Sequence, residues 1–216
     1  FRNGLWGAGT NKTLSGVDQT QVRTSTMSSS NAYADWSVMY KTVNQANLIL
    51  KHVPEMGISE SVRNFSLGNA YFSRAWCYFW IARIWGDAPL ALTGYESTAG
   101  DLYLPRAPKA EIFARIESDL TEAERYVTDN SDKAVATPAA VQMLKADYAL
   151  WMYRVAGGGS SYLTMAEEAI ASRKRLRSGL LLGQQAQQGG DLRRPSGQRR
   201  SRQRTGLLPR LEQQLR

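Results

Sequence analysis

One histidine, His52, and one cysteine, Cys77, are all the chain offers of the two side chains most used in nucleophilic and metal chemistry. That shortage excludes an internal disulfide and gives no basis for a Cys/His metal site or a thiol–imidazole catalytic pair. Cys77 lies inside the most apolar stretch of the chain, which predicts a buried, inert thiol, and it leaves the redox compartment open. His52 falls at the end of a predicted helix, a place where histidine completes the C-terminus. No run of about 18 apolar residues occurs, because Asn69, Arg74 and Arg83 interrupt the greasiest segment. A phosphate loop is missing too: GAGTNKT at residues 7–13 lacks the required spacing and a preceding strand. The carboxylates between residues 108 and 127 stand at exposed spacing and read as a solvated face. These absences lead to an expectation of no catalytic residue, no metal site, no cofactor and no enzymatic activity.

Aromatic residues and negative charge are both scarce toward the C-terminus. All 21 Phe, Tyr and Trp residues lie in the first 162 positions. Residues 1–172 carry 15 Lys/Arg and 17 Asp/Glu, whereas residues 173–216 carry 12 and 2, so the tail supplies the whole basic excess behind the formal charge of +8. From Arg173 onward the sequence is drawn almost wholly from Arg, Gln, Gly, Leu and Ser, without an apolar period that could close a core. The expected organisation is therefore a globular region over 1–172 and a basic low-complexity tail over 173–216. The tail reads as an out-of-frame translation or a disordered segment. The rival reading is a genuine basic arm for nucleic acid or an anionic surface. Its lack of base-stacking aromatics counts against the first of these partners, and no nucleic-acid partner is expected. The chain opens on Phe1 with no signal segment, which reads as an internal fragment or a mature form.

What is present is a set of helices. The stretch FSLGNAYFSRAWCYFWIARIWGDAPL, residues 65–90, is the centre of the chain. Phe65, Gly68, Phe72, Ala75, Trp76, Phe79 and Ala82 form one apolar line, and Leu67, Ala70, Tyr71, Tyr78, Ile81 and Trp85 form another. A helix apolar nearly all round belongs inside a bundle, so Trp76, Phe79 and Trp85 are assigned to core, as is Trp151. Gly86 and Pro89 stop it. Before it, Asn31 can cap a helix with Trp36, Met39, Tyr40, Val43, Ala46, Asn47 and Leu50 on one face, ended by Pro54 and Gly57. Residues 87–107 read as irregular. Pro108 opens a helix with the stripe Ile112, Ile116, Leu120, Ala123 and Val127. Asp119 borders that stripe and is expected to bond to a neighbouring helix end. Thr137 and Pro138 cap the next helix, which runs to Gly157, and Asp147 on it should pair with Arg154 or a partner elsewhere. Ser160 or Ser161 starts a further one through Ile170. Helix, glycine turn, helix at this size is the pattern of tetratricopeptide-type pairs.

Four segments together carry a resemblance. Gly68-Asn69-Ala70-Tyr71-Phe72-Ser73-Arg74-Ala75-Trp76-Cys77-Tyr78-Phe79, then Gly86-Asp87-Ala88-Pro89-Leu90, resembles the SusD/RagB-like nutrient-binding proteins of Bacteroidetes, which read G-E-A-x-F-L-R-A-x-x-Y-F and G-D-x-P-L. Asn69 and Ser73 depart from that pattern. Trp36, Tyr40, Val43, Ala46 and Asn47 fit W-x-x-x-Y-x-x-I-x-x-A-N with Val43 in place of Ile. Arg106, Pro108, Glu111, Ile112, Phe113, Ile116, Asp119, Leu120 and Ala123 fit R-x-P-x-x-E-V-Y-x-x-I-x-x-D-L-x-x-A. The resemblance covers about residues 31–172. It implies an all-α fold of tetratricopeptide-like helical pairs with long irregular loops, truncated here. It also implies a surface-exposed lipoprotein of the outer membrane that binds oligosaccharides or polysaccharides and delivers them to a SusC-like TonB-dependent transporter. Its membrane contact would be a lipid anchor on a cysteine this chain does not contain.

Sugars are recognised by aromatic faces, with Asn, Asp and Arg bonding the hydroxyls. The irregular segments supply such residues: Trp6, Asp18, Arg23 and Asn31 in the first, and Tyr95, Asp101 and Tyr103 in the second. These seven are the expected ligand-binding residues. The bland alternative is that the aromatics plug the loops onto the helices. For the whole chain the alternative is a tetratricopeptide-like scaffold binding proteins or peptides in its groove.

Overall fold

A computed structural model describes residues 21, 22, 24, 26–97 and 102–190, with side chains up to residue 176. After a 3-10 turn at Ala32–Ala34, helix α1 (Ser37–His52) runs into a second such turn at Val53–Glu55. Helix α2 spans Glu60–Trp85, α3 Lys109–Tyr126, α4 Pro138–Arg154 and α5 Ser160–Gly190. The only strands among the described residues are β1 (Ala88–Pro89) and β2 (Arg106–Ala107), paired antiparallel as Ala88 with Ala107 and Pro89 with Arg106. The all-α class follows. The chain divides into two units after Arg177, the first holding the helices α1 to α4 and the start of α5. The second unit is described only as the end of α5, to Gly190. Helix α5 thus passes through position 173, where the apolar pattern of the sequence ends.

Local chemistry sets the helix ends. Ser59 accepts from the Val62 N–H and Thr137 from the Ala140 N–H, each satisfying a first-turn donor, with Pro138 at a position that needs no N–H. Gly86 leaves α2 at φ +74°, and Gly157 leaves α4 at φ +75°, a region other residues seldom enter. The core of the first unit centres on α2. Ala75, Tyr78, Phe79 and Ile81 of that helix meet Val43 of α1, Ile112, Ile116 and Leu120 of α3, and Tyr148 of α4. Gly68 lets the end of α3 come close, since a Cβ there would lie 2.7 Å from Val127 Cγ2 and 3.1 Å from the Val127 nitrogen.

Three expectations need correction. Trp76 is 41% exposed and Phe65 47%, so neither belongs to the core. Helices α1 and α3 cover two flanks of α2 and α4 meets its C-terminal half, so of that line Gly68, Ala75, Phe79 and Ala82 are buried while Phe65 and Trp76 stand at its open edge. Asp119 does not cap a neighbouring helix end. It is fully buried and takes two hydrogen bonds from Arg74 in the middle of α2, from Nε at 2.8 Å and Nη2 at 2.7 Å. Helix α2 also begins at Glu60, five residues ahead of the apolar line that marks it in the sequence. The remaining assignments hold: Phe79 is fully buried, and Trp85 and Trp151 pack half-buried against the core. Asp147 finds its partner on another helix, Arg83 at 3.0 Å. The Arg83 guanidinium in turn lies 4.4 Å from the ring of Trp151 and 4.7 Å from that of Trp80.

Candidate ligand-binding site

The residues between α2 and α3 form a loop closed at its base by the β1–β2 pair, and α1 lies along it. An irregular segment must find partners for its peptide groups outside itself. Here polar side chains on one face of α1 supply them. Tyr40 donates to the Pro89 carbonyl at 2.7 Å. Asn47 donates from Nδ2 to the carbonyls of Ala91 at 3.0 Å and Thr93 at 3.3 Å, and Tyr78 adds a bond to Ala91 at 2.7 Å. Asn44 takes both polar groups of Tyr95: its Oδ1 accepts from the Tyr95 N–H at 2.7 Å, and its Nδ2 donates to the Tyr95 carbonyl at 3.1 Å. Glu96 is held by Lys51 Nζ at 2.6 Å and His52 Nε2 at 2.5 Å.

Asn47 is itself fixed from beneath. Its Oδ1 accepts from Arg74 Nη1 at 2.7 Å, and Arg74 is the residue that grips Asp119. A buried ion pair between α2 and α3 thereby ends on the side chain that holds the loop. Electrostatics follow the geometry. Burial pushes the Tyr40 phenol up to about 12, against the opposing pull of Arg106, and pushes Tyr78 up as well. The hydrogen bonds from Lys51 and then His52 hold the Glu96 carboxyl below its ordinary range. At the base of the loop, Arg106 donates to the Asp87 carbonyl at 2.9 Å and lays its guanidinium 5.1 Å from the Trp36 ring. Asp87 in turn caps α3 through the Lys109 N–H at 2.8 Å.

Of the seven sequence-predicted residues, Trp6, Asp18, Arg23 and Asp101 lie outside the described residues. Asn31 is 3% exposed; its Oδ1 caps the Ala32–Ala34 turn through the Tyr33 N–H, and its Nδ2 donates to Gln21. Tyr95 is half-buried against the core and Tyr103 is 92% exposed. Tyr95 and Tyr103 thus both fall in the segment between α2 and α3, on either side of residues 98–101, which lie outside the described residues. Asn31 is placed just before α1, on the side chain–backbone bonds that form its own turn. Sequence reasoning missed Asn44 and the Arg74–Asp119 pair. A signal existed for the first: two asparagines three residues apart on a helix whose other inward residues are apolar.

Two shallow cavities lie away from this loop. One of about 280 Å³ is lined by Glu124, Val141, Gln142 and Arg175 among others. The other, of about 350 Å³, is lined by Glu60, Arg63, Asn64, Leu67, Arg125 and Tyr126. Among the described residues no group of three or more His, Cys, Asp or Glu is placed to hold a metal ion, and no helix is long and apolar enough to cross a membrane. Cys77 is 1% exposed and burial raises its thiol to about 11, so it packs as a small apolar residue.

Known proteins match this chain in both sequence and fold. The family model SusD-like_3, described as starch-binding and associating with the outer membrane, matches residues 8–156. The SusD-like protein P38 of Formosa agariphila is 33% identical over 103 residues, which is 48% of this chain and 20% of that protein. Among solved structures, NanU of B. fragilis is 32% identical with a TM-score of 0.62, covering 73% of this chain and 33% of its own. A structure solved with xylogluco-oligosaccharide is 25% identical with a TM-score of 0.66, covering 74% and 33%. The chain thus spans about a fifth of the curated relative and a third of the solved ones. With most of its length matched by the family model, on the helices α1 to α4 and the loop that α1 holds, the chain belongs to the SusD-like family.

Proposed function

We propose that this chain is the helical part of a SusD-like protein that captures oligosaccharides at the outer membrane and delivers them to a SusC-like TonB-dependent transporter. The observation that carries the reading is the likeness, at a TM-score of 0.66 and 25% identity, to a structure solved with xylogluco-oligosaccharide. The family's description as starch-binding and outer-membrane-associated supports the same ligand class and location. The mechanism is binding and delivery, with no bond broken. The segment 90–105 offers what sugar recognition uses: the exposed ring of Tyr103, the half-buried ring of Tyr95 and, between them in sequence, the carboxylate residue Asp101. Trp6, Asp18 and Arg23 complete the ligand-contacting set from the N-terminal segment, and Asn31, buried at its end, serves the ligand by shaping the turn ahead of α1. Membrane contact is through a lipid anchor outside this sequence, at the cell surface. Residues 1–172 form the functional region, and 173–216 a separate segment of different sequence type.

The rival is a peptide-binding helical scaffold, favoured by two exposed aromatic rings on α2, Phe65 and Trp76. Affinity electrophoresis separates the two. Retardation of the chain in gels containing xyloglucan or starch supports glycan capture. Unretarded migration across a broad polysaccharide panel, with tight binding to an extended peptide, replaces it by the scaffold.

A further inference from the structure

We propose that Asn44 is a positioning residue for ligand recognition, setting where the ring of Tyr95 stands by clamping that residue's backbone. This rests on the glycan-binding reading above. Three consecutive loop residues are each fixed by α1. At Gly94 the backbone lies against α1 so closely that a Cβ would come 2.9 Å from the Leu48 nitrogen, and only glycine fits. At Tyr95 both the N–H and the carbonyl are taken by one side-chain amide, that of Asn44. At Glu96 the carboxylate is held by Lys51 and His52.

Holding one peptide group would locate the chain. Holding both polar groups of the same residue also fixes its rotation, and with it the direction of the Cα–Cβ bond. The bonds of Asn44 go to Tyr95 alone, whereas Asn47 joins the loop to the buried Arg74. Asn44 therefore has one task, and the buried contacts between the helices do not pass through it. A recognition residue whose direction is preset loses little conformational entropy on binding, which is where affinity and selectivity are won.

The test uses the full chain, xylogluco-oligosaccharide as the probe, and three readouts: affinity by calorimetry, amide exchange at Tyr95, and the melting temperature. Asn44→Ala should expose the Tyr95 amide to fast exchange and weaken probe binding about tenfold, as expected for a misdirected contact residue. Two hydrogen bonds worth about 0.5–1.5 kcal/mol each are lost, so its melting temperature should fall by about 2–12 °C with the helical fold kept. Asn44→Asp keeps the acceptor for the Tyr95 N–H, so it should retain that amide's protection and lose less affinity. Glu96→Ala, an exposed change with no folding risk, should weaken binding by about twofold to fivefold through the same loop. Wild-type binding with unchanged affinity in Asn44→Ala overturns the positioning role and leaves the glycan reading standing. Absence of wild-type binding to the probe and to a glycan panel overturns both.

Discussion

Removing the Asp119 carboxylate is the most severe single test of the core. Its oxygens accept from Arg74 Nε and Nη2 at 2.8 and 2.7 Å, and Arg115 approaches the same carboxylate at 3.6 Å. Asp119 is 0% exposed and Arg74 5% exposed. The variant Asp119→Ala leaves a buried guanidinium with Asn47 as its one remaining hydrogen-bond partner among the described residues. Breaking one side of such a pair costs about 3–5 kcal/mol. A domain of this size has a total stability of about 5–15 kcal/mol, so the loss is a large fraction of it. At about 2–4 °C per kcal/mol for a domain of this size, the corresponding fall in melting temperature is about 6–20 °C. Replacing both partners by apolar residues of similar volume, Arg74→Met with Asp119→Leu, should recover most of the loss, because no charge is then stranded. Urea unfolding followed by circular dichroism measures all three variants against the parent. A loss under about 1 kcal/mol for Asp119→Ala would refute the reasoning, as would a double variant less stable than both singles.

Further expectations concern packing and titration. Gly68→Ala places a methyl 2.7 Å from Val127 Cγ2 and 3.1 Å from the Val127 backbone, so the end of α3 must move. Overpacking of this kind costs about 1–3 kcal/mol, only partly offset by the helix preference of alanine over glycine, and urea midpoints should show a net loss. Burial, joined at Tyr148 by the nearby Glu117 carboxylate, raises the phenols of Tyr40, Tyr78 and Tyr148 above their unfolded value. The stability they contribute is complete below about pH 10 and is lost as pH rises through the folded values. Absorbance titration at alkaline pH should show these three ionising only with unfolding. Glu96 runs the other way: its folded value is depressed, so its link to Lys51 and His52 persists above the ordinary carboxylate range and is lost as pH falls through the depressed value. Carbon NMR of its carboxyl group should report that lowered midpoint, and Lys51→Ala with His52→Ala should return it to the ordinary range. Cys77 should resist thiol reagents at pH 8 until the chain unfolds, since it is buried and its thiol is raised to about 11.

The helices were legible because their signals are local. Thr137 followed by Pro138 marks a start, Gly86 before Pro89 marks an end, and Ile112, Ile116 and Leu120 repeat at helical spacing. The first turns of α2 were not legible, because Glu60, Ser61, Arg63 and Asn64 offer no apolar period, and only the Ser59 cap announces them. The exposure of Trp76 could not be read from its spacing either. Periodicity reports which residues share a face, while burial depends on how many helices arrive at it. The loop is the clearest limit. Its anchors are side chain–backbone bonds spanning 44 to 51 residues, from Asn44 and Asn47 to Ala91 and Tyr95. A carbonyl looks the same in every sequence, so such bonds leave no pattern to find. Arg74 and Asp119, 45 residues apart, meet for the same reason without a spacing rule. The candidate ligand residues were placed on loops by their chemistry, and Tyr95 and Tyr103 do share one.

Amide chemical-shift mapping of the full chain against xylogluco-oligosaccharide tests glycan capture at this loop most directly. Saturable shifts are expected at residues 91–97 and 102–104, with the amides of α2 and α4 unmoved. Shifts on α2 around the exposed Phe65 and Trp76 would contradict capture at the loop, and so would a spectrum unchanged at millimolar ligand.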